Sequence, residues 1–207
     1  MTARWASRLW RALGYVPITV GLVVATSALF LWGGVTDTAV DVSLVTFLNP
    51  LWYMLSMVVH DGWAHFSGNM VLFVPFGVLL TWLTSNRHVA LVVGVSHGLS
   101  NVVWVGTVVG PAIGSSAAAF GVMAAALVRA VGIALQRQSV ETRQTAIVAT
   151  IVPLLGGLFA IAVAAGASPI AHFAHFFAFL FGGATEAIYV LSTPETTERS
   201  IPVDVGR

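Results

Sequence analysis

Six long apolar blocks, separated by short polar or breaker-rich stretches, organise the chain: residues 15–34, 65–84, 89–109, 116–136, 145–165 and 169–191. A helix needs about 20 mostly apolar residues to cross roughly 30 Å of hydrocarbon. The pattern therefore predicts an all-α, polytopic membrane protein of six transmembrane helices in a single domain, 1–207. Its core is 15–191, with short polar tails at 1–14 and 192–207. Residues 35–64 are too polar and broken to span. Their centre, 48–59, holds Pro50, Trp52 and Tyr53 and predicts an interfacial or re-entrant element. Arg4, Arg8 and Arg11 ahead of the first block resemble the start of a signal peptide. The apolar run continues through Trp32, however, and that length predicts an uncleaved first helix. The tail after Thr193 is expected to be mobile.

Composition narrows the class. The chain is 57% apolar and 8% charged, with mean hydropathy +0.91, whereas about a quarter of a soluble domain carries charge. Cysteine is absent, which excludes a disulfide framework, a thiolate nucleophile and a thiolate metal site. No basic cluster of the nucleic-acid type exists, so the expected partner is the lipid bilayer. All nine positive charges are arginine. With six spans and a cytoplasmic N-terminus, Arg4, Arg8, Arg11, Arg87, Arg129, Arg137, Arg143, Arg199 and Arg207 all fall inside. The outer loops then carry only Asp37, Asp41 and Asp61. That is the positive-inside pattern, and it suits a prokaryotic plasma membrane.

On this map the second, fourth and sixth blocks run from outside to inside. His65 and Asn69 lie near the start of the second, Ser116 opens the fourth, and His175 lies near the start of the sixth. All four converge on the outer leaflet. Ser116 to Arg129 is roughly 20 Å of helix at 1.5 Å per residue, against a core of about 30 Å. With Arg129 near the inner interface, Ser116 begins about 10 Å below the outer one. Residues 109–115 must then enter as irregular backbone, which is tolerated only inside protein or along a wet cavity. A hydrated pocket is expected, and hydrolysis needs water.

A hydroxyl and an imidazole are costly inside membrane-length segments, and they are the two groups that nucleophilic hydrolysis needs. His65 and Asn69, spaced i, i+4, share one helix face. They can offer donors to a developing oxyanion or serve as interhelical glue. His172 and His175 lie with Phe179, Gly182 and Glu186 on one stripe, expected to face the bundle. Small residues after Ser116 (Ala117, Ala118, Ala119, Gly121) and on the last block (Ala178, Gly182, Gly183) permit close backbone approach; plain packing explains them equally well. A zinc protease wants His-Glu-x-x-His, and the His172–His175 pair lacks the glutamate. An aspartyl mechanism needs two carboxylates, but Glu186 is the only acid within a predicted span. No metal and no cofactor is expected. His97, Ser100 and Asn101 predict interhelical hydrogen bonds. Gly94 and Gly98 have helix-dimer spacing, although packing within the bundle is the more frequent use.

Three motifs, in order on alternate blocks, resemble the rhomboid family of intramembrane serine proteases. They are His60-Asp-Gly-Trp-Ala-His65-Phe-Ser-Gly-Asn69, Gly114-Ser115-Ser116-Ala117 with Gly121 downstream, and His172-Phe-Ala-His175-Phe-Phe-Ala178 with Gly182 downstream. The resemblance covers 15–191 and implies a six-helix rhomboid-like bundle. It implies a dyad of Ser116 as nucleophile and His175 as general base and acid, with oxyanion donors from His65, Asn69 and the Ser116 N–H. His60, Gly114, Ala117, Gly121, His172, Ala178 and Gly182 take supporting places. Substrates would be membrane-spanning helices with small or helix-weakening residues near the outer end. The active site would open to the extracytoplasmic side. Residues 48–59 would match the family's lateral first loop, and 145–165 its mobile gate.

There are departures. Ala117 stands where the family has glycine, which could crowd the oxyanion hole, and Ala178 replaces another glycine. Ser115 is a second hydroxyl beside Ser116, but spacing to Gly114 and Gly121 favours Ser116. Gly182, seven residues on, favours His175 over His172. Two other readings stay open. One is an inactive rhomboid-like protein that binds membrane helices. The other is a small transporter or VanZ-like protein, from Asn69-Met-Val-Leu-Phe-Val-Pro-Phe-Gly77, whose later acidic and glutamine motifs are missing here.

Overall fold

The computed structural model describes residues 14–35, 49–107, 113–135, 138–139, 141–142, 144–146, 149 and 169–192. Regular structure among them is helical throughout: α1 (Ile18–Trp32), α2 (Pro50–Val58), α3 (Trp63–Leu83), α4 (Asn86–Thr107), α5 (Ser116–Ala134) and α6 (Pro169–Ser192). Among the described residues, four helices are long and apolar enough to cross a membrane: α3, α4, α5 and the Phe173–Ser192 part of α6. They occupy the second, third, fourth and sixth predicted blocks. The first block holds the shorter α1, of 15 residues. The fifth block, 145–165, lies almost wholly outside the described residues, as do the two tails.

Local chemistry sets the helix ends. α1 follows Pro17 and stops at Gly33–Gly34. There Gly34 takes φ +74°, and the N–H groups of Gly34 and Val35 donate to the carbonyls of Leu31 and Phe30. That is the Schellman arrangement, which only a residue tolerant of positive φ makes without strain. It explains why α1 is shorter than its apolar block. α2 sits within 48–59. Asn49 caps it by accepting the Leu51 N–H at 3.0 Å, and Pro50 holds its first position.

α5 is the central post. Every residue from Ala117 to Ala126 except Phe120 is buried, and α5 packs on α6 more extensively than any other pair of helices. Its small side chains let neighbours approach closely. A Cβ added to Gly182 would overlap the Gly121 backbone, and one added to Gly132 would lie 2.8 Å from a Val190 methyl. α1 reaches the bundle through Val20, whose methyl would lie 2.6 Å from a Cβ on Gly77 of α3. Large apolar side chains such as Leu22, Leu29, Trp32, Val71, Trp82 and Ile188 point outward. A surface this apolar around a core of alanine and glycine suits lipid as the surrounding solvent. Gly94, by contrast, is exposed on α4, with no described atom within 4 Å of an added Cβ. The expectation that it packs within the bundle is not met there.

Two polar ties fix the end of the bundle away from Ser116. Asn86, at the start of α4, donates from Nδ2 to the Gly14 carbonyl and accepts the Thr19 N–H. Deeper in, Glu186 of α6 is fully buried between His88 of α4 and Arg129 of α5. Arg129 Nη2 stands 2.5 Å from Glu186 Oε1, and its guanidinium lies 4.8 Å from the centre of the Tyr189 ring.

Candidate active site

α5 begins at Ser116, and the turn before it is anchored by Ser56 and His60 and closely faced by two side chains of α3. Gly114 has φ +94°, in the left-handed region that favours glycine. Its N–H donates to the Ser56 carbonyl of α2 at 2.7 Å. A Cβ on Gly114 would stand 2.9 Å from His65 Nε2 and 3.2 Å from Asn69 Nδ2. The absent side chain thus lets two α3 residues close on the backbone two positions before Ser116. His65 is tethered through Nδ1 to Asp61 Oδ1 at 2.7 Å, so Nε2 is the nitrogen turned toward Gly114. Asn69 is buried, and its Nδ2 has no hydrogen-bond partner among the described residues. Leaving a buried donor unsatisfied costs about 1–3 kcal/mol, so its persistence calls for a reason.

Ser115, the N-cap residue of α5, is fully buried. Its N–H donates to His60 Nε2 at 3.4 Å, and its Oγ lies 3.2 Å from the same nitrogen. The opposite nitrogen, Nδ1, faces the Val58 carbonyl at 3.1 Å and can only donate to it. A neutral imidazole has one donor and one acceptor nitrogen. Nε2 is therefore the acceptor, and the Ser115 hydroxyl donates. Burial pushes the His60 pKa down from 6.5 to about 4; His65 adds to the lowering, while the Val58 bond and Asp61 oppose it. Ser115 and His60 are both inaccessible, whereas Ser116 is partly exposed.

His175 approaches from α6. Its ring stacks on Phe120, with centroids 4.6 Å apart and planes 17° from parallel. Phe120 is the i+4 neighbour of Ser116 and shares its helix face. His175 therefore stands against the face of α5 that carries Ser116. The crossing at Gly121 and Gly182, with the Ala178 carbonyl 3.2 Å from a Cβ built on Gly121, sets that closeness. Ala178 and Ala117 are both buried in the helix contacts. His172 lies in α6, but its side chain is outside the described residues.

A family model of the Rhomboid domain matches residues 49–192, well over half of the chain. The chain belongs to the rhomboid family. The matched stretch includes every residue of the cluster just described, from Ser56 to Gly182, and also the VanZ-like stretch 69–77. Rhomboid-family proteins are usually serine intramembrane proteases, and the family has inactive relatives. No curated protein and no solved structure matches this chain.

Three contributors to the rhomboid cluster went unread in the sequence. Asp61 holds His65 and was legible from its i, i+4 spacing. Ser56 acts through a backbone carbonyl, which no side-chain pattern announces. Phe120 meets His175 only through the crossing of two helices. His97 does make the expected interhelical contact, its Nε2 lying 3.1 Å from Ser56 Oγ of α2, but Asn101 does not: its Nδ2 donates within α4, to the same His97 nitrogen at 3.1 Å. The Ser100 hydroxyl also donates within α4, to the Ser96 carbonyl.

Proposed function

We propose that this rhomboid-family chain is an intramembrane serine endopeptidase, with Ser116 as nucleophile and His175 as general base and acid. The observation that carries the reading is the convergence at the start of α5. A buried amide nitrogen with no partner among the described residues (Asn69 Nδ2) and an imidazole nitrogen (His65) meet the backbone beside Ser116, while the His175 ring lies one turn along the same face. His175 accepts the Ser116 Oγ proton as that oxygen attacks the scissile carbonyl. The oxyanion that forms needs donors aimed at its position. Ser116, at the first position of α5, has an N–H with no partner four residues back within the helix, at the positive end of the helix dipole. Asn69 Nδ2 adds a second donor. His65 adds a third when both ring nitrogens carry protons, because Nδ1 is turned to Asp61. His175 then protonates the leaving amine, and water hydrolyses the acyl-serine. No metal or cofactor takes part in this scheme.

Substrates are membrane-spanning helices of other proteins, unwound near one end before cleavage. The arginine distribution supports a multi-pass protein of a prokaryotic plasma membrane, with the site opening to the extracytoplasmic side. The gate expected at 145–165 lies almost wholly outside the described residues. The competing reading is an inactive relative that only binds helices; the presence of both Ser116 and His175 favours the protease.

Labelling with a fluorophosphonate separates the two. Wild type and Ser115→Ala should label, and Ser116→Ala should not. His175→Ala should abolish cleavage of a transmembrane substrate, whereas His172→Ala should retain part of it. An unlabelled wild type, or labelling that survives Ser116→Ala, would overturn the assignment.

A further inference from the structure

We infer that His60 is a positioning residue for the nucleophile, holding the turn that delivers Ser116 through its Nε2 bonds to the N–H and hydroxyl of Ser115. The inference rests on the protease reading above and adds a role for a side chain that reading leaves idle.

The turn cannot hold itself. Gly114, in a left-handed conformation, is the residue type with the most backbone freedom. The first N–H groups of a helix have no intrahelical acceptors. External anchors must therefore fix each peptide plane, and two do. The Gly114 N–H goes to the Ser56 carbonyl, and the Ser115 N–H to His60 Nε2. Beyond them, the Ser115 carbonyl accepts the Ala119 N–H at 2.8 Å and so points down the helix. The peptide unit is planar and trans, so the N–H of Ser116 points the opposite way, out of the helix end. His60 is thus the last external anchor before the atoms that react.

The ring suits the task. Nδ1 is tied to the Val58 carbonyl, and the rings of His65 and Phe66 stand edge-on at 5.1 and 5.6 Å. The acceptor at Nε2 is therefore presented in one place. Burial keeps the ring neutral at ordinary pH, so the Nε2 lone pair persists. His60 and Ser115 form a hydrogen-bonded serine–histidine pair, but one fully buried and closed to substrate. It supports the neighbouring serine.

The test compares His60→Asn, His60→Gln and Ser115→Ala in the full chain. The readouts are the fluorophosphonate labelling rate, kcat and KM on a transmembrane substrate, and the thermal midpoint in detergent. Asparagine can mimic the Nδ1 donor but cannot reach Ser115; the glutamine amide oxygen can take the Nε2 place. His60→Asn should lower labelling and kcat about 100-fold, the scale of a 1 Å misplacement, with KM little changed. His60→Gln should recover about tenfold of that loss. Ser115→Ala, which keeps the N–H bond, should lose no more than about tenfold. If wild type does not label, the protease reading fails and takes this inference with it. If wild type labels and His60→Asn labels at a similar rate, the positioning role alone is overturned. Equal losses in the Asn and Gln variants that track their thermal midpoints would also overturn it, leaving His60 a structural residue.

Discussion

A buried amide with nothing to donate to weakens the resting protein by about 1–3 kcal/mol. Asn69 Nδ2 is in that state among the described residues, against the Gly114 backbone. A purely structural asparagine would be satisfied by a neighbour. One that waits for an oxyanion is satisfied only when the reaction supplies the charge. Asn69→Ala should therefore leave the thermal midpoint unchanged or raise it, while lowering kcat about 100- to 1,000-fold, the usual loss for one oxyanion donor. A clear fall in midpoint with kcat preserved would make Asn69 interhelical glue instead. The i, i+4 spacing of His65 and Asn69 was legible because helical periodicity alone puts them on one face. Spacing to Gly114 and Gly121 favours Ser116 over Ser115 in the sequence, but the physical difference between the two was not legible there. Two adjacent hydroxyls differ here only in where the helix starts and in what reaches them across the fold. His60, 55 residues earlier, claims Ser115.

At the scale of the helices, small residues matter as absences. Gly121 and Gly182 bring α5 and α6 into backbone contact, and Ser116 and His175 lie on the same side of that crossing, each ahead of it on its own helix. A methyl on Gly182 would meet the Gly121 carbonyl and Cα, backbone that cannot rotate aside. Gly182→Ala should therefore part the helices. The expected cost is about 1–3 kcal/mol of overpacking, with a loss of labelling larger than the stability change explains. Gly94→Ala, with no described atom near its Cβ, should alter neither. If both variants behave alike, the crossing does not control the site. The apolar blocks announced the spanning helices well, because hydrocarbon thickness fixes their length. They said less about ends: α1 stops where Gly33 and Gly34 stop it, inside an apolar run. They also hid the partners of Glu186. The cost of burying its carboxylate is offset by Arg129 and His88, which come from two other helices. Glu186 lies 11 residues from His175 on α6, roughly 16 Å of helix, too far to serve as a third member of the dyad.

For the molecule as a whole, contacts across helices show which ends lie together. The bonds from Ser56 and His60 to Gly114 and Ser115 gather the end of α2, the start of α3 and the start of α5 at one end. The Glu186 cluster gathers the start of α4 with the later halves of α5 and α6 at the other. That alternation is geometric; which end faces the cytoplasm is a question of charge. Arg87 and Arg129 belong to the Glu186 end, and the flanking Arg137 and Arg143 follow α5, while Asp61 stands at the Ser116 end. On the proposed topology, retention of arginine on the inner side would put the candidate active site outside. A chain without cysteine is a ready background for the measurement. Asp61 and Ser139 are both exposed, the first ahead of α3 and the second beyond α5. In intact cells a membrane-impermeant maleimide should label Asp61→Cys at once and reach Ser139→Cys only after lysis. The opposite pattern would turn the bundle over. The proposed protease would then have to draw its water and its substrates' cleavage sites from the cytoplasm.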